Sequence, residues 1–227
     1  MPDARWADPV AEDAAETPIR PAVAALHVVD GAPLDDAASF AEVLAPLAKA
    51  ERSRDGEVLF FLFSPAGGGF PDLCRELRET ARETYWSTPG SVTSALRRTI
   101  SVANRYLFEH NLKAERSKRC YGGLACAVLR GRDLFLLQAG PVWACVLRGE
   151  QFRCFPQGEK LAHMGIGPIA DVRLNHVFAG AGETLLLAPY ALLRDATEGS
   201  LRNALSLGDV NKVAAGLREI GGDEFAA

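Results

Sequence analysis

The spacing of hydrophobic positions changes several times along the chain, and each change predicts a different element. The run VLFFLFS (58–64) is continuously apolar over the length of a strand, which favours a central strand covered on both faces. Over residues 70–85 and 92–107 apolar residues recur every three or four positions, which predicts two long helices. Pro71 suits the first turn of the first helix, because no backbone donor is needed there.

Upstream of these elements the pattern is less regular. VAALHVV (23–29) predicts a first strand, and the segment 34–53 predicts a helix that Pro46 shortens or kinks. The residues that follow the helical period in that segment are Phe40, Val43, Leu44, Leu47 and Ala48. Residues 1–20 are rich in Ala, Pro and acidic side chains, so we expect a disordered lead-in before a single domain of residues 21–227.

After residue 107 the pattern becomes that of a sheet. Apolar segments follow one another closely, with Gly131 and Gly149 in two short connections, which is typical of antiparallel hairpins. The segments are 123–130, 132–140, 142–148, 150–155, 172–178 and 183–189. Two helices, at 199–207 and 209–221, close the chain. Because helices and strands are grouped and do not alternate, we expect an α+β fold with mostly antiparallel sheets.

Charge and composition narrow the function classes. The 227 residues carry a formal net charge of −4, with 48% apolar and 24% charged residues. A mildly acidic chain is not built to neutralise phosphates, so we expect no nucleic-acid partner. No apolar run reaches the length of a membrane span, and the N-terminus lacks a basic, apolar signal sequence. These features predict a cytoplasmic protein without a membrane partner.

The cysteines and histidines give no sign of a metal site. The five cysteines form no C-x-x-C pair, and the four histidines show no ligand spacing. We expect free thiols that act as small hydrophobes in a reducing compartment. A disulfide or a zinc site is the alternative. The cysteines are Cys74, Cys120, Cys126, Cys145 and Cys154.

The junction SPAGGGF (64–70) between the central strand and the next helix is a candidate anion site. Its consecutive glycines would let backbone N–H groups approach an anion ahead of a helix N-terminus. However, no Lys or Ser/Thr follows in P-loop spacing, and G-x-G-x-x-G is absent from the sequence. A tight strand-to-helix turn is therefore the alternative.

The order of these segments resembles the metal-dependent serine/threonine protein phosphatases of type 2C, the PPM family. That family has strand–Asp-Gly-x-Gly-Gly–helix, a helix rich in Ala and Asn, and a hairpin ending in Gly-Asp-Ser-Arg. Leu-Leu-Leu-x-Ser-Asp-Gly-Leu and Gly-Asp-Asn follow. The counterparts here are SPAGG (64–68), SALRRTISVANRYLFE (94–109), YGGLACAVLRGRDLFLLQAGPVW (121–143), GETLLLAPYALL (182–193) and GGDE (221–224). The resemblance implies two mostly antiparallel β-sheets packed as a sandwich flanked by helices. The family's N-terminal Arg and Asn-Glu-Asp have no match.

The resemblance also implies a chemistry. In the family, two Mg²⁺ or Mn²⁺ ions held by aspartates lower the pKa of a bridging water, which attacks a phosphoserine or phosphothreonine. Residue by residue, the family's aspartates correspond to Ser64 after the central strand, Pro141 in the hairpin turn and Tyr190 after the later strand. The family's Arg in the hairpin turn corresponds to Trp143, whereas Gly140 is retained.

Three further positions keep the family's residue type. Gly67 and Gly68 retain the glycines of the loop, and Asp223 is the one candidate carboxylate that remains. A solvated residue after a helix is the alternative for Asp223. The chain ends near the point where the family begins a last strand, so we expect either truncation or a sheet edge that could pair with another chain.

These departures imply a pseudophosphatase, a binding or regulatory domain without catalytic residues, metal or cofactor. One alternative is an active protein phosphatase that holds Mg²⁺ or Mn²⁺ through displaced ligands; another is a plain interaction or oligomerisation domain. We expect a protein partner, and the oligomeric state is open. We also expect the Tyr190 ring to fill part of the metal position, with its hydroxyl hydrogen-bonded.

Overall fold

The computed structural model describes residues 19–34, 40–66, 70–156, 161–221 and 225–227. The strands are β1 His27–Val29, β2 Ala32–Pro33, β3 Ala41–Leu44, β4 Glu57–Ala66, β5 Tyr121–Arg130, β6 Asp133–Ala139, β7 Val142–Arg148, β8 Gln151–Phe155, β9 Val172–Phe178, β10 Thr184–Pro189 and β11 Phe225–Ala226. The helices are α1 Pro71–Ser87, α2 Val92–Lys113, α3 Tyr190–Asp195, α4 Glu198–Leu205 and α5 Val210–Ile220.

The elements form an α–β–β–α sandwich. A five-stranded sheet, in the order β3-β4-β5-β6-β9, faces a three-stranded sheet in the order β10-β7-β8. A small third sheet joins β11, β1 and β2, and the paired strands of all three sheets are antiparallel. The expected α+β fold, a sandwich of mostly antiparallel sheets flanked by helices, is confirmed.

The apolar run of β4 is explained by burial on both of its faces. Leu59, Phe61 and Phe63 pack with α1 and α2 in one hydrophobic cluster. Val58 and Phe60 point the other way and pack in a cluster shared with the inner face of the three-stranded sheet. The outer face of that sheet packs against α3, α4 and α5 in a further cluster. A strand covered on both faces has no need for polar alternation.

Helix α2 follows its apolar stripe. The hydroxyl of Ser91 accepts a hydrogen bond from the backbone N–H of Ser94, which caps the helix start. Leu96, Ile100 and Leu107 are fully buried against the sheet. Among the described helices, none combines the length with the hydropathy that a bilayer span requires.

The helix expected over 34–53 is wrong. Residues 41–44 form the edge strand β3, in which Ala41 pairs with Leu62 and Leu44 with Leu59. The apolar residues satisfy a helical period, but β4 has an open edge whose backbone groups need partners, and that pairing decides the conformation. The first strand is also shorter than expected, since it begins at His27. The lead-in expected at 1–20 lies outside the described residues up to position 18.

The expectation of five free thiols is also wrong. Cys145 of β7 and Cys154 of β8 are register partners and form a disulfide. Among the described cysteines, Cys74, Cys120 and Cys126 are buried thiols outside any disulfide, as expected. Burial raises the pKa of the Cys126 thiol to about 12 and that of Cys120 to about 11, so both remain protonated at neutral pH.

A buried polar network fixes the start of β4. Arg54 is 2% exposed, and its Nε and Nη2 donate to the Thr88 carbonyl at 3.0 and 2.7 Å. Its Nη1 donates to Glu57 Oε2 at 3.3 Å, and the Tyr85 hydroxyl donates to the same oxygen at 2.6 Å. Burial and the contact with Glu57 raise the pKa of Tyr85 far above its usual value, so the phenol stays a donor. The network ties β4 to the end of α1.

We expect Arg54→Ala to lower the free energy of unfolding by about 3–5 kcal/mol, because the buried Glu57 carboxylate loses its buried ion-pair partner. The matched control is Arg130→Ala. Arg130 lies 3.7 Å from the other Glu57 oxygen but is 53% exposed, so its loss should cost about 1 kcal/mol or less. Urea denaturation of both variants measures the difference. Equal losses would show that the buried network does not fix the strand.

Candidate functional site

The end of β4 lies beside the glycines of β5. The two strands pair over ten residues, from Glu57 opposite Arg130 to Ala66 opposite Tyr121. This register places Ser64 directly opposite Gly123. Ser64 therefore lies near the C-terminal end of β4, at the position to which the resemblance assigned a metal-binding aspartate.

The β6–β7 turn closes over the same glycines. Gly140 has a φ of +77°, and a Cβ there would lie 2.5 Å from the Gly122 carbonyl oxygen. A Cβ on Gly123 would lie 2.7 Å from Val142 Cγ1 and 3.0 Å from the Pro141 nitrogen. Real side chains do not approach so closely, so these glycines allow the turn to pack on β5.

The β10–α3 junction completes the site. Pro189 pairs with Val142, and the backbone N–H of Tyr190 donates to the Pro141 carbonyl at 2.9 Å. Ser64 and Pro141, predicted from separate parts of the sequence, therefore both lie beside Gly123, and Tyr190 is hydrogen-bonded to Pro141. Gly67, Gly68 and Asp223 lie outside the described residues.

Comparison with known proteins bears on this arrangement. No protein-family model and no curated protein sequence matches the chain. PppA, "a key regulatory component of T6SS in Pseudomonas aeruginosa", is 16% identical, with 89% of this chain and 94% of that chain covered and a TM-score of 0.62. The Mycobacterium tuberculosis serine/threonine phosphatase PstP is 16% identical over 82% and 94% of the two chains (TM-score 0.63). Staphylococcus aureus Stp1 is 13% identical over 82% and 85% (TM-score 0.65).

The chain has the type-2C phosphatase fold. The resemblance inferred from the sequence is thus confirmed at the level of the fold. At identities of 13–16%, a structural match shows a shared architecture and does not show a shared activity. Activity depends on the side chains of the site.

The donor atoms at the motif positions do not fit the two-metal site of the type-2C fold. Ser64 offers one hydroxyl, Pro141 offers no side-chain donor, and Tyr190 offers a phenol. Mg²⁺ and Mn²⁺ favour carboxylate and carbonyl oxygens in fixed geometry. Within the described ranges, no group of three or more His, Cys, Asp or Glu side chains is arranged to hold a metal ion.

Aromatic side chains stand at two of the positions that the resemblance aligns with charged residues of the type-2C phosphatases. The rings of Trp143 and Tyr190 lie 5.9 Å apart between centroids at an interplanar angle of 31°. Both residues are partly buried. The Tyr190 ring therefore packs on Trp143, and its occupation of the metal position stays a prediction. Each replacement was visible in the sequence, but their contact depends on the β7–β10 register.

The connection between β8 and β9 is hydrogen-bonded to α2, a contact that was not predicted from the sequence. Asn104 accepts from the Gly165 N–H and donates to the Gly167 carbonyl, both at 2.9 Å. Asn111 donates to the Gly165 carbonyl at 3.1 Å. Both asparagines are buried, so these bonds are shielded from water. The Asn content of the helix was the signal, since buried amides need partners.

The pinned connection reaches the candidate site and exposes apolar side chains. The Met164 N–H donates to the Gly122 carbonyl, the same oxygen that Gly140 approaches. Beyond this contact, Ile166 is 60% exposed and Ile169 is 88% exposed. Hydrogen bonds to the residues on both sides of Ile166 hold this part of the connection in place, so the exposed Ile166 side chain has a defined position.

We expect Gly140→Ala to destabilise the fold more than Gly131→Ala. Both glycines have positive φ, +77° and +61°, so both substitutions carry the backbone strain, roughly 1–2 kcal/mol. Gly131 faces open space, whereas a methyl group on Gly140 meets the β5 backbone. The clash should add about 1–3 kcal/mol to the loss of unfolding free energy, measured by chemical denaturation. Equal losses would mean that the turn can move away from β5 without cost.

Proposed function

We propose that the chain is a catalytically silent domain with the type-2C fold that acts by binding a partner protein. The side chains at Ser64, Pro141 and Tyr190 carry this proposal, because none is a carboxylate. In two-metal hydrolysis the ions supply the activated water and stabilise the charge that develops on the phosphoryl group. A fold that lacks their ligands loses both contributions together.

We propose that the binding surface lies beside the candidate site. We call it the edge surface and define it by Trp143, Tyr190, Ile166 and Ile169. Aromatic side chains are enriched among the residues that carry binding energy at protein interfaces, and the two isoleucines add apolar area that binding would remove from water. The hydrogen bonds of Asn104 hold Gly165 and Gly167 on either side of Ile166, so a partner would spend little free energy on ordering this part of the surface.

The shared fold supports a regulatory role in general terms. PppA, one of the neighbours, is a regulatory component of T6SS, so a type-2C fold can serve regulation in that protein. For the present chain we propose regulation through contact and not through dephosphorylation. The partner is a protein with an apolar segment that packs on the edge surface.

A metal titration tests the absence of catalysis. We expect no rise in the melting temperature of the full chain with millimolar Mn²⁺ or Mg²⁺, and no Mn²⁺-dependent hydrolysis of a phenyl phosphate ester. A site with micromolar affinity would stabilise the native state by roughly 2.7 kcal/mol under these conditions. For a chain of this size that is a rise of about 5–10 °C.

Stp1 serves as the positive control in both assays. A saturable rise in the melting temperature that a chelator reverses, together with phosphate release, would overturn the proposal. Such a result would favour an active metal-dependent phosphatase whose metal ligands are residues other than Ser64, Pro141 and Tyr190.

The edge surface can be tested with charge substitutions at exposed positions. We expect Ile169→Glu to abolish capture of a specific partner from a lysate of the source cells, because a charge in an apolar interface must be desolvated. The matched control is Leu207→Glu, which places the same charge at a residue 48% exposed between α4 and α5. Quantitative mass spectrometry should identify proteins that the wild type and Leu207→Glu retain and Ile169→Glu loses. The same protein set on all three chains would contradict the edge surface.

A further inference from the structure

A cavity of about 540 Å³ lies between the two large sheets, on the side of the sandwich where α5 packs, and is separate from the edge surface defined above. One wall comes from the inner face of the five-stranded sheet and the opposite wall from β7 and β10. Helix α5 and the N-terminal segment 19–26 close the remaining sides. The apolar lining residues that the two large sheets contribute include Phe60, Leu62, Leu129, Leu134, Val146 and Leu187. None of the residues that define the edge surface is among its lining residues.

The cavity touches all three hydrophobic clusters of the sandwich. Leu62 belongs to the first, Leu217 to the second and Val146 to the third. The cost of an empty apolar cavity grows with its volume, and an apolar wall gives water too few partners to fill it. The volume also lies within the range of small-molecule sites. An apolar occupant therefore fits this space better than water does.

The charged residues at the rim narrow the chemistry of that occupant. Glu42 pairs with Arg78 at 3.1 Å, and Glu183 pairs with Arg148 at 2.6 Å, so both carboxylates are already compensated. Arg20 also lines the cavity and is exposed. Within the described ranges, Arg20 has no hydrogen-bond or ion-pair partner. Among the described residues, the rim thus offers one uncompensated guanidinium.

We infer that this cavity binds an aliphatic carboxylate. The hydrocarbon chain lies among the leucine and valine side chains between the sheets, and the carboxylate pairs with Arg20. A guanidinium presents paired donors that match the two oxygens of a carboxylate. Residues 19–26 lie outside the helices and strands, so this wall can open to admit the chain without breaking a sheet ladder.

The test compares three probes that share a ten-carbon chain and differ in the head group. Decanoate, decanol and decyltrimethylammonium are titrated into the full chain by calorimetry. The two ionic probes are kept below the concentrations at which they form micelles, and decanol is kept below its solubility limit. We expect decanoate to bind saturably at one site, at least tenfold tighter than either of the other two. Decanoate should also raise the melting temperature, since it binds the native state.

Two substitutions locate the site. Arg20→Gln should remove the tenfold preference for decanoate, whereas Arg116→Gln, an exposed arginine that does not line the cavity, should retain it. Val213→Phe places a larger side chain on the cavity wall and should weaken decanoate tenfold or more. Its folding is checked by circular dichroism, and Ala214→Leu, also on this wall, replaces it if it does not fold.

Several results would overturn the inference. Absence of saturable decanoate binding refutes the cavity as a site. Equal affinity for all three probes, or an unchanged preference in Arg20→Gln, refutes the pairing with Arg20. Undiminished binding in the folded variant of the cavity wall places the probe elsewhere on the protein. Binding of many molecules per chain, insensitive to every variant, marks adsorption and likewise refutes the site.

Discussion

The ten-residue antiparallel ladder between β4 and β5 is the constraint on which the rest of the molecule depends. Its start is fixed by the buried Arg54 network, and its apolar side chains form core on both faces of the sheet. Its far end sets Ser64 opposite Gly123, and the β6–β7 turn packs on that glycine. The hydrogen bond from Tyr190 to Pro141 then brings in the last element.

This dependence explains how the type-2C architecture can form with Ser64, Pro141 and Tyr190 at the positions that the resemblance aligns with aspartates. The elements converge through backbone pairing and through close contacts that only glycines permit, at Gly122, Gly123 and Gly140. The contacts with Ser64 and Pro141 include their backbone atoms, the Ser64 carbonyl oxygen and the Pro141 nitrogen, so they need no carboxylate side chain at either position. Uncharged side chains at these three positions also avoid the like-charge repulsion that clustered carboxylates would bring to the folded state. The fold and the chemistry of this site are thus carried by different residues, and one can change without the other.

The elements that could be predicted from the sequence are those that local interactions determine. The strand β4 was predicted because burial on both faces makes its run continuously apolar, and helix α2 because burial on one face imposes a helical period. Strand β3 was missed because its partner, the open edge of β4, lies outside the local pattern. The Cys145–Cys154 disulfide depends on register in the same way. At the site, the resemblance predicted which positions to compare, and their role stays a prediction. The Trp143–Tyr190 contact and the Asn104 bonds require the fold.

The most direct test of the central claim is a count of metal ions bound by the full chain. Hexaaqua Mn²⁺ gives a six-line electron paramagnetic resonance spectrum that is lost when the ion is coordinated by protein. The present account predicts that the free-ion signal rises in proportion to the Mn²⁺ added, with the protein present or absent, up to millimolar concentrations. Disappearance of one or two equivalents of that signal, restored by a chelator, would contradict it.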